Sequence, residues 1–232
     1  MTNPIPLPPP QAILFDLDGT LADTAPDLAQ AINLLRTNAG LAPTAYELLR
    51  PVASAGARGM IKVAFDLAPE DDDYEAKRVA FLDNYAANLM VHSSLFQGVP
   101  AMLDGLTELG LRWGIVTNKA ARFTMPLVEQ IGLQGAGCVV CGDTMAHAKP
   151  HPAPLFEAAR RLGLAPQQCW YVGDDLRDIE AGRAAGMVTI ACTWGYCGAL
   201  VPQGWNAHYL LDSPQALLDV VRAVVHGAAL TA

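Results

Sequence analysis

The sequence predicts an α/β fold, a doubly wound parallel sheet with an inserted α-helical segment, and three observations predict it. From Gly98 onward, short apolar runs of strand length alternate with segments of helical periodicity, the rhythm of successive βαβ units. The first apolar run, Ala12-Ile13-Leu14-Phe15, has no polar face to offer water, as a strand buried on both sides requires. Between these two regions, residues 22–95 show only helical periodicity.

Each element can be justified in chain order. The first ten residues hold five of the 17 prolines, so residues 1–11 read as a flexible Pro-rich tail. After the first strand, Thr24-Ala-Pro-Asp27 reads as a capping box with proline inside the first helical turn, and Leu28, Ala31, Ile32 and Leu35 continue at helical spacing to a stop at Gly40. Thr44-Ala-Tyr-Glu47 repeats the capping signal. Helices are then expected over Ala57–Leu67 and over Tyr74–Met90, the latter with Phe81, Leu82, Tyr85 and Leu89 on one face. The alternating half follows: helix Val99–Leu109, strand Trp113–Thr117, helix Thr124–Ile131, short strand Cys138–Cys141, helix Ala153–Leu162 and strand Trp170–Val172. Helix Leu176–Ala185 closes at Gly186, strand Val188–Cys192 comes next, and a strand near Tyr209 and a helix over Pro214–Val225 end the pattern. This divides the chain into the tail, an α/β core of residues 12–21 and 96–232, and a helical insertion of residues 22–95, with no internal repeat.

Composition narrows the function classes. The 232 residues are 52% hydrophobic and 16% charged, and 15 Lys and Arg against 23 Asp and Glu leave a net charge of -8. A broad cationic surface for nucleic acid or anionic lipid is therefore not expected. No run approaches the roughly 20 apolar residues of a membrane span, and the N-terminus has no signal-peptide pattern, so the expected location is cytoplasmic. Five cysteines, an odd number in a chain large enough to bury a core, suit free thiols.

In open parallel sheets ligands bind beyond the carboxyl ends of the strands. Four such ends carry polar residues: Asp16-Leu-Asp18-Gly-Thr20, Thr117-Asn118-Lys119, Lys149-Pro150, and Gly173-Asp174-Asp175 with Asp178. Carboxylates converging from distant strand ends repel one another unless a cation sits among them. Hard Mg²⁺ takes oxygen ligands, commonly one or two carboxylates plus phosphate oxygens, and Asp16 and Asp174 can supply them. A carboxylate can also attack phosphorus, and a second one, Asp18, can exchange the protons.

The run Asp16-Leu17-Asp18-Gly19-Thr20-Leu21 resembles the nucleophile signature of the haloacid dehalogenase-like hydrolase superfamily, and Thr117, Lys149 and Gly173-Asp174-Asp175-x-x-Asp178 resemble its second, third and fourth motifs in order. The resemblance covers residues 12–226. It implies that Asp16 is the nucleophile and Asp18 the general acid/base. It further implies that Asp16, Asp18 (through its carbonyl) and Asp174 hold Mg²⁺, that Thr117, Asn118 and Lys149 hold the phosphoryl group, and that Asp175 or Asp178 completes the metal's surroundings. The insertion resembles the family's α-helical cap. Within the superfamily the phosphoglycolate-phosphatase-like branch is the best fit. Ser54-Ala-Gly-Ala-Arg58, Val91-His-Ser-Ser-Leu-Phe96 and residues 173–182 look most like the bacterial N-acetylmuramic acid 6-phosphate phosphatases.

The resemblance implies a phosphatase for a small phosphorylated metabolite, either 2-phosphoglycolate or the N-acetylmuramic acid 6-phosphate of cell-wall sugar recycling, and the chain is expected to act as a monomer or homodimer. A phosphosugar mutase of the β-phosphoglucomutase type uses the same motifs, and a non-catalytic protein could keep the fold, although both Asp16 and Asp18 are present. Arg58, in a small-residue loop, is a candidate for the substrate carboxylate, with His92 and Ser93 as further cap candidates. Cys138 and Cys141 have metal-pair spacing but point to opposite faces of a strand and read as buried thiols. His147 and His151 flank Lys149 in a loop broken by prolines, and Trp170 and Tyr171 read as sheet packing.

Overall fold

A computed structural model describes residues 7–198 and 202–227. Six strands form one parallel sheet: β1 (Ala12–Phe15), β4 (Arg112–Val116), β5 (Val139–Val140), β6 (Cys169–Gly173), β7 (Val188–Cys192) and β8 (Tyr209–Leu211). Their order across the sheet is β5-β4-β1-β6-β7-β8. β1 is central, with Ala12 opposite Arg112 on one side and Cys169 on the other.

Alternation along β1 explains the unbroken apolar run. Ile13 and Phe15 join a core with helices α5 (Val99–Glu108), α6 (Ala121–Gln130) and α9 (Pro214–Val225). Ala12 and Leu14 face the opposite core, built on α7 (Ala153–Arg161) and α8 (Leu176–Ala184). The chain builds outward from β1 through β4 to β5, then crosses back to start β6 on the other side of β1. That reversal of strand order opens a crevice at the carboxyl ends of β1 and β6.

Between β1 and α5 the chain forms α1 (Ala25–Asn38), α2 (Tyr46–Leu49), a 3₁₀ segment (Arg50–Ala55), α3 (Gly56–Phe65) and α4 (Tyr74–Ala87). They share a separate apolar cluster that includes Leu28, Ile32, Met60, Ile61, Phe81 and Tyr85, to which Phe123 and Tyr196 contribute from the sheet side. The segment is not purely helical: β2 (Ala22–Asp23) and β3 (Ser94–Leu95) pair antiparallel where the chain leaves and returns. Two-residue strands are too short to show periodicity, which is why the pattern missed them.

Three local expectations are corrected. The expected tail lies partly outside the described residues (1–6), and the part described is not loose. Leu7 packs on the core, the Trp170 indole donates to the Pro8 carbonyl at 3.2 Å, and Gln11 N–H donates to Gln168 O at 2.8 Å. The Thr24 hydroxyl does not cap α1; it is drawn to Asp18, and the Tyr196 hydroxyl accepts from Thr24 N–H at 2.8 Å and Ala25 N–H at 2.9 Å in its place. Asp27 points away from the cap position and accepts from His92 N–H (2.8 Å), Ser93 N–H (3.0 Å) and Ser93 Oγ (2.6 Å), so a wholly buried carboxylate ties α1 to the returning strand. At α2 the residue in the cap position is Ala45, and Thr44 N–H bonds the Asn33 side chain.

All five cysteines are free thiols. Among the described residues no helix is long and apolar enough to cross a membrane.

Candidate active site

Asp16 and Asp18 leave the end of β1, Thr117 to Lys119 follow β4, Lys149 follows β5, and Asp174 to Asp178 run from β6 into α8. They meet at the switch-point crevice, beneath the helical segment. A cavity of about 340 Å³ there is lined by Asp16, Asp18, Thr117, Asn118, Lys149 and Asp178 on the sheet side. Gly19 lets the loop pass close by: its φ is +90°, and a Cβ would lie 2.2 Å from Asp174 Oδ2.

Lys149 is the hub. Its ammonium donates to Val116 O (2.9 Å), the Tyr171 hydroxyl (2.8 Å) and Asp178 Oδ1 (2.7 Å), which uses all three protons. Asp16 Oδ1 lies 2.8 Å away yet has no well-oriented hydrogen bond, so it receives the charge of Lys149 without a proton. Burial raises the Asp16 carboxyl to about 7, with Lys149 pulling the other way and Asp178 and Asp18 adding repulsion. Asp174, fully buried, is raised well above the carboxylate range by burial and by Asp16 and Asp178, although Thr20 Oγ1 (3.0 Å) and Tyr196 N–H (3.0 Å) donate to it. Lys149 itself stays above the ordinary lysine value, since its two carboxylates outweigh burial.

One carboxylate oxygen from each of Asp16, Asp174 and Asp178 falls within 4.8 Å of the others. Three acidic groups this close, one with an oxygen left bare of hydrogen bonds, form a hard oxygen donor set that fits a divalent cation. The two acids that spacing left open have different surroundings. Asp178 belongs to the cluster, while Asp175 caps α8 and is held low by Arg177, whose Nε and Nη2 donate to it at 2.7 and 2.9 Å.

Other candidates move in role. The Asn118 side chain is engaged in both directions by the Lys149 peptide, donating to its carbonyl and accepting from its N–H at 2.9 Å each, so it braces the loop that carries Lys149. Arg58 is exposed and does not line the cavity, because it sits on the outer side of the first turn of α3; the lining arginines are Arg78, Arg122 and Arg177. The His92 side chain is also exposed and outside the cavity, and the residue contributes its backbone to Asp27.

Four contributors escaped the sequence reading. Tyr171, expected as packing, bonds Lys149 and donates to Val116 O at 2.9 Å. Lys119 Nζ donates to Asp18 Oδ1 at 2.9 Å, and the Thr24 hydroxyl donates to the same oxygen. Ser54, from the 3₁₀ segment, donates to Asp174 Oδ2 at 3.1 Å, while its carbonyl accepts from Arg177 at 2.8 Å. Two of them carried a signal: Lys119 as the last residue of a polar strand end, and Ser54 as the first residue of the small-residue stretch before Arg58.

The pattern of the family described as haloacid dehalogenase-like hydrolase matches residues 13–192. The chain is 41% identical over 219 residues to the N-acetylmuramic acid 6-phosphate phosphatase of Pseudomonas putida, covering 94% of this chain and 98% of that protein. It is 46% identical over 215 residues to the phosphoglycolate phosphatase of Xanthomonas campestris pv. campestris, covering 90% and 96% respectively. Among solved structures it is similar to a predicted phosphoglycolate phosphatase from Haemophilus somnus 129pt, with a TM-score of 0.81 and 28% identity over 91% of this chain and 97% of that one.

Proposed function

This chain belongs to the haloacid dehalogenase-like hydrolase family and is a phosphoric monoester hydrolase, and on that footing we propose that it works through an aspartyl-phosphate with Mg²⁺ bound. The observation that carries the mechanism is the pairing of Asp16 and Asp18 in the cavity lining, with Asp16 held 2.8 Å from the Lys149 ammonium. Asp16 attacks phosphorus and forms a new P–O bond as the bond to the leaving oxygen breaks. Asp18 gives that oxygen its proton, then takes one from the water that opens the phosphoaspartate. Both donors to Asp18 fall on Oδ1, which leaves Oδ2 to exchange the proton. Lys149 balances charge from below, and Thr117 presents its hydroxyl to the phosphoryl group. Asp16, Asp174, Asp178 and the Asp18 carbonyl would hold the metal, which when bound offsets the negative charge of carboxylates and phosphoryl oxygens.

The helical segment serves as the cap. Ser54 on Asp174, Arg177 on Ser54 and Arg50 on the Gly195 carbonyl at 3.3 Å support a closed arrangement that excludes water from the reaction. The substrate is a small phosphorylated metabolite in the cytoplasm, with N-acetylmuramic acid 6-phosphate favoured over 2-phosphoglycolate. The cavity reaches an apolar wall of Leu28, Phe81, Leu82 and Phe123 that a two-carbon acid leaves unfilled. A panel of both compounds assayed with Mg²⁺ is expected to give the higher kcat/KM for the sugar; a preference for 2-phosphoglycolate would reverse the assignment.

The metal has a second readout in stability. A raised carboxyl contributes most at acid pH, where the folded protein keeps its proton, and that contribution is lost as pH rises through about 7 for Asp16. A cation that displaces those protons therefore stabilises more as pH rises. The Mg²⁺-induced increase in unfolding midpoint is expected to be larger at pH 7.5 than at pH 5, and an equal or smaller increase would count against metal binding by these acids.

A further inference from the structure

Three arginines line the cavity, and two of them already hold carboxylates. Arg177 grips Asp175 through Nε and Nη2 and also donates to the Ser54 carbonyl. Arg78 donates to Glu75 through Nε at 2.7 Å and through Nη2 at 2.6 Å. Among the described residues Arg122 alone of the three forms no ion pair, and its guanidinium lies 4.4 Å over the Phe123 ring centroid. It is the second residue of α6, whose first turn holds no acid, so its charge meets the positive end of the helix dipole. Asp143 accepts from Ala121 N–H at 2.9 Å and caps the helix without pairing with Arg122. From a cation placed there the fold gains only the stacking on Phe123.

Position decides which part of a ligand it meets. Lys119 bonds Asp18 at 2.9 Å, the Tyr85 ring lies 4.7 Å from Lys119 Nζ, and Phe123 packs on Tyr85 at 5.3 Å between centroids. That row leads from the acid that protonates the departing oxygen out to Arg122, which is exposed while lining the cavity and so stands at its mouth. The guanidinium is thus on the leaving-group side, away from Asp16 and Lys149. We propose that Arg122 is a specificity-determining residue whose guanidinium binds a carboxylate carried by the leaving group. One planar guanidinium matches one carboxylate in a paired fork. A second phosphate, with its two charges, would call for a further free cation, and Arg78, Arg177 and Lys119 are each paired with an acid. The inference deepens the proposed function and rests on it, since it presupposes a phosphomonoester seated over Asp16.

The test is Arg122→Gln, which removes the charge, beside Arg122→Lys, which keeps the charge without the fork. Wild type and both variants would be assayed with Mg²⁺ on N-acetylmuramic acid 6-phosphate and N-acetylglucosamine 6-phosphate, which differ only by the ether-linked lactyl carboxylate. In Arg122→Gln the ratio of kcat/KM for the first sugar to that for the second is expected to fall by about tenfold, the scale of one charge-assisted hydrogen bond. The loss should fall mainly on KM, because the carboxylate takes no part in the reaction and is held alike before and during it. Arg122→Lys should recover part of the ratio. The unfolding midpoint should hold, because Arg122 is exposed and pairs with no acid. An unchanged ratio overturns the proposal. Equal losses on both sugars also overturn it, whether or not the midpoint falls. A wild type that hydrolyses p-nitrophenyl phosphate but does not favour N-acetylmuramic acid 6-phosphate over N-acetylglucosamine 6-phosphate overturns it while leaving the phosphatase reading intact; hydrolysis of none of the three overturns both.

Discussion

Replacing Asp16 with asparagine is expected to lower turnover by at least on the order of 10⁴-fold, with no radiolabelled phosphoryl group trapped on acid quench. The amide keeps the shape but offers phosphorus no nucleophilic oxygen. Folding should survive, because the substitution removes one of the three clustered acids and relieves the repulsion that raises Asp174. A variant that turns over within tenfold of wild type would exclude the covalent route and leave Asp16 as a metal ligand only.

Lys149→Met is expected to damage both stability and rate. Removing the ammonium takes one donor from the Val116 carbonyl and the Tyr171 hydroxyl, which still bond each other, and leaves two buried carboxylates without a counter-charge. Breaking a buried ion pair from one side typically costs about 3–5 kcal/mol. Turnover should fall by roughly 10²–10³-fold, the scale of losing one preorganised electrostatic group. Thermal denaturation and steady-state kinetics on the same preparation check both effects. A midpoint within a degree of wild type would show that the hub is not needed for the fold.

The contrast between these residues and their neighbours explains what was legible in the sequence. Asp16, Thr117 and Asp174 stand where apolar runs stop, and a polar residue at the end of a buried strand is visible without coordinates; Lys149 comes later, in the loop after β5. Tyr171 is invisible because it sits inside its strand, where an aromatic residue is ordinary, and only the third dimension brings its hydroxyl to Lys149. Thr24 and Asp27 misled for a different reason: their spacing is that of a capping box, but stronger partners from elsewhere in the chain claimed both side chains. Arg58 was singled out for its loop, yet a helix carries side chains in every direction and the sequence did not say which of them the cavity meets. The alternating half, with five of the six parallel strands, was readable because each βαβ unit repeats one pattern, whereas the paired two-residue strands beneath the helical segment had too few residues to show any.

The central position of β1 also governs the order in which the molecule can be completed on the ribosome. This strand is made first, but its flanking partners begin at Arg112 and Cys169. At about 5–20 residues per second, the second partner emerges roughly 10–30 s after the strand it must cover. The helical segment meets no such delay, since apart from Phe123 and Tyr196 every buried member of its cluster lies between residues 25 and 85. During synthesis the nascent protein therefore carries a nearly complete helical unit tethered beside a bare apolar strand. For that interval Ala12-Ile13-Leu14-Phe15 is the segment most open to misassociation and to chaperone capture.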